Sequence, residues 1–254
     1  MSIKDIYNQY QERIITGSAL ALVAIVLGAI DSFFLIWLFL GALFMIALFE
    51  SNRLFNLHSG VIYFYALALW ITAAFYPSVE ELFFIAAIAY AAVLAYSQKL
   101  DYRHFTPILY PTVGFLFFLT LYNDYGVGSY VWLIVVVASA DIGAFVVGKS
   151  IGKTPFSKTS PKKTLEGVVG GVAIATILGA MVGTQYSDFL PSLIISFFTA
   201  LSAVFGDLFE SYLKRQAGVK DSGNIFPGHG GVLDRLDGYL FGAVVMTLLM
   251  RSIS

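Results

Sequence analysis

The chain has 254 residues, of which 58% are hydrophobic and only 12% charged, with a mean hydropathy of +0.80. A soluble domain carries roughly 25% charged residues, so the composition excludes an ordinary soluble fold and points to an all-α polytopic membrane protein, with the lipid bilayer as its surroundings. A net charge of −1 gives no field that would attract nucleic acid, and the absence of cysteine excludes disulfides, thiolate catalysis and cysteine-ligated metals.

In residues 1–13, Ile3, Ile6, Tyr7 and Tyr10 recur at helical spacing, which suits a short interfacial helix; a frayed tail is the alternative. The first apolar run is followed at once by another, without a convincing small-residue cleavage site, so no removable signal peptide is expected. Apolar segments fall at about 14–30, 32–49, 60–76, 79–96, 105–122, 129–148, 167–186, 189–209 and 237–251, which predicts about nine transmembrane helices. The first two are predicted to form a hairpin turned near Asp31-Ser32. The last is short enough to be partly re-entrant. The chain divides into an interfacial segment (1–13), a scaffold (14–128) and a catalytic region (129–254).

Of the 15 Lys and Arg residues, all but Arg251 fall in the segments before the first span and after the second, fourth, sixth and eighth. The opposite loops hold Asp31, Glu80, Glu81, Asp124 and Asp188 and no base. This asymmetry predicts a cytoplasmic N-terminus, cytoplasmic polar loops and a C-terminus outside. The expected location is a bacterial inner membrane, with the active site facing the cytoplasm. Glu50 and Arg53, at the end of the second span, read as a snorkelling interfacial pair, with a functional site as the alternative. His58 and His104 lie in short loops and receive no role.

Three constellations carry chemistry. In ASADIGAFVVGKSIGK, Asp141 lies inside a span, where an ionised carboxylate costs about 2.5–3.5 kcal/mol. It is expected to face a wet or cationic cavity, or else to pair with a nearby lysine; Gly143, Gly148 and Gly152 permit close approach. The loop SKTSPKKTLEG places Lys158, Lys162 and Lys163, with the hydroxyls of Ser157, Thr159, Ser160 and Thr164, just before a helix. Ammonium groups beside free helix-start amides suit a polyphosphate, although a merely topogenic basic loop reads the same way. In GDLFESYLKR, Asp207, Glu210, Ser211 and Lys214 share one helical face. In GHGGVLDRLDGY, Asp234 and Asp237 lie one turn apart after Gly228, Gly230 and Gly231, glycines that let a ligand approach the backbone. Hard oxygen ligands with no cysteine suit Mg²⁺ better than zinc. Acids for a metal and lysines for phosphates together point to phosphoryl or nucleotidyl transfer onto a lipid.

The run SYLKRQAGVKDSGNIFPGHGGVLDRLD, from Ser211 to Asp237, resembles the signature of the CDP-diacylglycerol synthases (phosphatidate cytidylyltransferases). Ser211, Lys214, Arg215, Lys220, Asp221, Pro227, His229, Gly230, Gly231, Asp234, Arg235, Leu236 and Asp237 are all in place. Asp141 and SPKKTLEG are similar to the same pattern, so the resemblance covers the C-terminal half. It implies transfer of CMP from CTP to phosphatidic acid, dependent on Mg²⁺ and compatible with a second cation. On this resemblance Asp207 and Asp234 are expected to bind the metal, with Asp237 and Asp221 next in line. Lys162, Lys163, Lys214, Arg215 and Lys220 are expected to hold the triphosphate and lipid phosphate. Asp141, Ser160, Thr164, Ser211 and Arg235 complete the substrate site, and His229 either bonds a phosphate or organises its loop. The glycine-bearing spans are compatible with a homodimer. Two rival readings are a CTP-dependent lipid kinase and a secondary transporter for an organic anion.

Overall fold

A computed structural model describes residues 3–57, 60–98, 103, 105–228 and 230–253. It contains ten α-helices: α1 (Ile3–Ile30), α2 (Phe33–Leu54), α3 (Val61–Ala73), α4 (Leu82–Ser97), α5 (Phe105–Leu109), α6 (Thr112–Tyr125), α7 (Val127–Ile151), α8 (Leu165–Gly183), α9 (Phe189–Gln216) and α10 (Leu233–Ile253), with a 3₁₀ turn at Val79–Glu81. The described residues form no strand, only two isolated bridges, Pro155 with Thr164 and Phe226 with Gly230. Seven helical stretches are long and apolar enough to cross a membrane, and Ile15–Ile30 and Val61–Ala73 are shorter apolar helices. The protein is an all-α polytopic membrane protein.

The helices lie close to the predicted runs, and the departures have local causes. Residues 3–30 form one continuous helix, turned into α2 by Asp31 with its positive φ of 46°. The fifth predicted segment divides into α5 and α6 around Pro111, which lacks an amide hydrogen for the helical ladder. Helix α9 continues past the predicted 209 to Gln216, because Glu210, Leu213 and Lys214 are buried on its inner face. Helix α10 starts at Leu233 rather than 237 and runs unbroken to Ile253, long and apolar enough to cross a membrane.

Aromatic rings fill the scaffold core. Phe44 packs on Trp70 and Phe115 at 5.4 and 5.5 Å. In the second half, small residues replace rings where helices cross. Gly143 of α7 faces the Cα of Gly171 in α8, where a Cβ would lie at 3.0 Å. A Cβ on Gly206 of α9 would meet the Asp237 carbonyl oxygen of α10 at 2.5 Å. This close crossing brings the Asp207 region of α9 against the Asp237 region of α10. At the far end of α10, Arg251 is ion-paired with Glu80 and Asp124 and fixes the helix to the scaffold. Arg251 is therefore engaged by two acids, one on the 3₁₀ turn and one on α6.

Candidate active site

Helix α9 presents Asp207, Glu210 and Lys214 at i, i+3 and i+7, a spacing that puts all three on one face. The first turns of α10 present Asp234 and Asp237. One carboxylate oxygen from each of Asp207, Glu210 and Asp237 lies within 4.8 Å of the other two. Glu210 is fully buried, and neither of its oxygens receives a hydrogen bond, although it is ion-paired with Lys214. The ammonium of Lys214 also lies 2.7 Å from Asp234. Lys163 is ion-paired with Asp207.

Four acids, Asp207, Glu210, Asp234 and Asp237, thus face two ammonium groups, Lys163 and Lys214. Subtracting two positive from four negative charges leaves a formal excess of two negative charges in a mostly buried site. Such an excess is costly unless a cation balances it or a carboxylate takes up a proton. Among the described residues, three carboxylates converge without a nitrogen or sulfur ligand, which suits a hard divalent ion such as Mg²⁺. The residues present fit that ion.

Of the two residues expected to clamp a metal, Asp207 stands in this cluster. Asp234 is turned instead onto four donors: the Lys214 ammonium, the Ser222 amide at 2.8 Å, the Ser222 hydroxyl at 2.9 Å and the Gly231 amide at 2.8 Å. Asp237, one turn deeper, faces Asp207 where α9 and α10 cross at Gly206.

The basic loop is a built element. The Thr164 hydroxyl caps α8 by accepting from the Gly167 amide at 3.2 Å. The Phe156 amide donates to the Lys163 carbonyl at 2.8 Å, and the Leu165 amide donates to the Thr154 carbonyl at 2.9 Å. Glu166 accepts from the Lys153 and Thr154 amides and from the Thr154 hydroxyl. These bonds fold the loop back so that Lys163 reaches Asp207. Ser160 contributes its carbonyl to the Lys163 amide at 3.1 Å. Lys158 and Lys162 are exposed.

The remaining expected residues lie around the cluster. Asp141 is accessible on α7, within electrostatic range of Lys163, Asp207 and Arg235. Arg235, Lys220 and Asp221 are exposed, and Ser211 is half-buried. Asp221 lies outside the three-acid cluster. Arg215 donates to the Val219 carbonyl at 2.9 Å and closes the end of α9. His229 lies outside the described residues, as do His58 and His104.

Several participants were not singled out by the sequence. Glu210 lay on the recognised face but was given no ligand role. Glu50 is buried, without Arg53 as partner, and accepts hydrogen bonds from Ser222, Val232 and Leu233. This corrects the interfacial-pair reading. Tyr110 is buried with an unpartnered hydroxyl, its ring edge-on to Phe209 and Phe241 at 5.2 and 6.3 Å. The local sequence marks Glu50 as a charge at a span end but not its partners, and nothing in it marks Tyr110.

A sequence profile of the cytidylyltransferase family matches residues 11–253. A phosphatidate cytidylyltransferase of Helicobacter pylori strain J99 is 46% identical over 251 residues, covering 98% of this chain and 94% of the relative. The protein of that name from Helicobacter pylori strain 26695 is 45% identical over the same length. That of Bacillus subtilis strain 168 is 42% identical over 139 residues, 52% of each chain. With a profile spanning nearly all of its length and relatives similar from end to end, the chain belongs to the cytidylyltransferase family.

Proposed function

We propose that the chain is a phosphatidate cytidylyltransferase, which transfers CMP from CTP to phosphatidic acid and releases CDP-diacylglycerol and pyrophosphate for phospholipid biosynthesis. The observation that carries this reading is the acid cluster of Asp207, Glu210 and Asp237 with Lys163 and Lys214 at its edge, set among membrane-length helices. Relatives similar over the whole chain bear the same name.

The chemistry needs little from a general base. A phosphatidate oxygen, already anionic, attacks the α-phosphorus of CTP; the bond from that phosphorus to the bridging oxygen breaks, and pyrophosphate leaves with the electron pair. The obstacle is that two anions must meet. The basic loop supplies Lys162 and Lys163 for the triphosphate, and its backbone bonds hold Lys163 at the cluster. Lys214 fixes Glu210 and Asp234 relative to each other. Asp207, Glu210 and Asp237 would hold Mg²⁺, which when bound screens charge on phosphoryl oxygens. To Ser211, Lys220, Arg215, Arg235 and Asp141 we assign the orientation of the two substrates' headgroups. The positive-inside bias supports a site open to the cytoplasm, in an inner membrane, with the C-terminus outside.

The test is product analysis with CTP labelled at the α-phosphorus and phosphatidate-containing proteoliposomes. Labelled CDP-diacylglycerol, equimolar pyrophosphate and dependence on both Mg²⁺ and phosphatidate are expected. Release of labelled CDP would instead identify a lipid kinase, and flux of an organic anion without turnover would identify a transporter.

A further inference from the structure

Glu50 sits near the end of α2 in the N-terminal half, and it is 1% exposed. Among the described residues no lysine or arginine is ion-paired with it. Its partners all belong to the loop between α9 and α10. The Val232 amide donates to Oε1 at 3.0 Å, the Leu233 amide to Oε2 at 2.9 Å and the Ser222 hydroxyl to Oε2 at 3.0 Å. The two amides belong to the opening of α10, so this acid caps a helix from 182 residues away. The loop is shaped to receive it. A Cβ on either Gly223 or Gly231 would collide with the Glu50 carboxylate.

From Glu50 an unbroken polar line leads into the acid cluster. Ser222 donates its hydroxyl and its amide to Asp234 at 2.9 and 2.8 Å. Asp234 accepts from Lys214 at 2.7 Å, and Lys214 is ion-paired with Glu210. The neighbouring Ser51 donates to the Tyr110 carbonyl at 2.9 Å, and the Tyr110 ring lies against Phe209 and Phe241, beside the acid-bearing turns. The tip of α2 therefore supports the site from two directions. A buried acid serving only the scaffold would spend its hydrogen bonds on scaffold helices; Glu50 spends all three on the site's own loop.

We propose that Glu50 is a positioning residue which the N-terminal half contributes to the active site. It holds the first turn of α10 and, through Ser222 and Asp234, sets where Lys214 and Glu210 stand. The proposal rests on the cytidylyltransferase reading for its catalytic consequence, and its structural part can be tested separately.

The experiment uses the full chain in proteoliposomes as wild type, Glu50→Gln, Glu50→Ala and Ser222→Ala. It reads kcat, the KM for CTP, the thermal midpoint and hydrogen exchange over residues 222–236. In Glu50→Ala, kcat per folded molecule is expected to fall about 100-fold, the scale of a small misplacement of catalytic groups. Exchange at 222–236 should rise while that of α7 and α8 holds. Glu50→Gln, which keeps one acceptor oxygen, should recover part of the loss. Ser222→Ala cuts the link to Asp234 but leaves backbone bonds on both acids, and about a tenfold loss of kcat is expected. If Glu50→Ala does not assemble, the Gln and Ser222 variants carry the same comparison. Unchanged exchange at 222–236, or a lowered midpoint with kcat and KM per folded molecule within twofold of wild type, overturns the proposal. An inactive wild type would sink the cytidylyltransferase reading, while exchange would still decide whether Glu50 holds the loop.

Discussion

Asp207→Asn and Asp237→Asn are each expected to lower turnover by about a thousandfold or more, equivalent to roughly 4 kcal/mol of lost transition-state stabilisation. The two residues come from different helices, and their carboxylates face one another with Glu210 between the same neighbours. Replacing either carboxylate by an amide leaves a neutral, weaker oxygen ligand where the cation would be held, and also leaves Lys163 or the α9–α10 crossing unbalanced. The Asp234→Asn variant separates ligation from support. Its amide oxygen can still accept from Ser222 and Gly231, which now donate to Asp234 at 2.8–2.9 Å. A smaller loss is therefore expected, about tenfold to a hundredfold. A Mg²⁺ titration of activity checks the distinction: the half-saturating concentration should rise steeply in Asp207→Asn and Asp237→Asn and little in Asp234→Asn. Equal shifts in all three would place Asp234 among the direct ligands.

Lys214→Ala is expected to have the largest effect on stability. Its side chain is 10% exposed and ion-paired with both Glu210 and Asp234, whose side chains are 0% and 4% exposed. Truncation leaves two buried carboxylates facing each other without a counter-charge. Breaking a buried ion pair from one side costs about 3–5 kcal/mol, so a marked drop in the thermal midpoint of the detergent-solubilised protein should accompany the loss of activity. Adding Glu210→Gln to Lys214→Ala removes one stranded charge. The double variant should regain stability without regaining turnover. Lys163→Ala provides the contrast. Lys163 and Asp207 are 26% and 24% exposed, where a pair contributes at most about 1 kcal/mol. Its activity should fall while its midpoint stays near wild type.

The sequence shows which half of the molecule does chemistry more readily than how that half is assembled. Apolar runs of membrane length are a local property, and the helices lie close to where hydropathy puts them. The break between α1 and α2 at Asp31 was legible because two apolar runs meet there with a polar residue between them. The start of α10 was not legible, because the acid that caps it lies in another helix and no local residue announces it. Asp237, not Asp234, joins Asp207 and Glu210 in the three-acid cluster, beside the close crossing at Gly206. One turn of helix separates the two aspartates, and a motif read as a string cannot tell which turn meets α9. Glu50 illustrates the limit from the other side. Next to Arg53 in a polar run at a helix end it looks like an interfacial residue, and only the tertiary fold shows that its carboxylate is consumed by Ser222, Val232 and Leu233. Lys163 was identified from its loop, but its reach to Asp207 depends on the backbone bonds that fold residues 154–165 back on themselves.

The central claim is that Asp207, Glu210 and Asp237 together hold a divalent cation at the α9–α10 crossing. Titration of Mn²⁺, as a spectroscopic substitute for Mg²⁺, into the purified full-length protein followed by electron paramagnetic resonance tests it directly. A saturable bound signal is expected in the wild type, competed by Mg²⁺ and lost in both Asp207→Asn and Asp237→Asn. A bound signal of wild-type strength in both variants would contradict it.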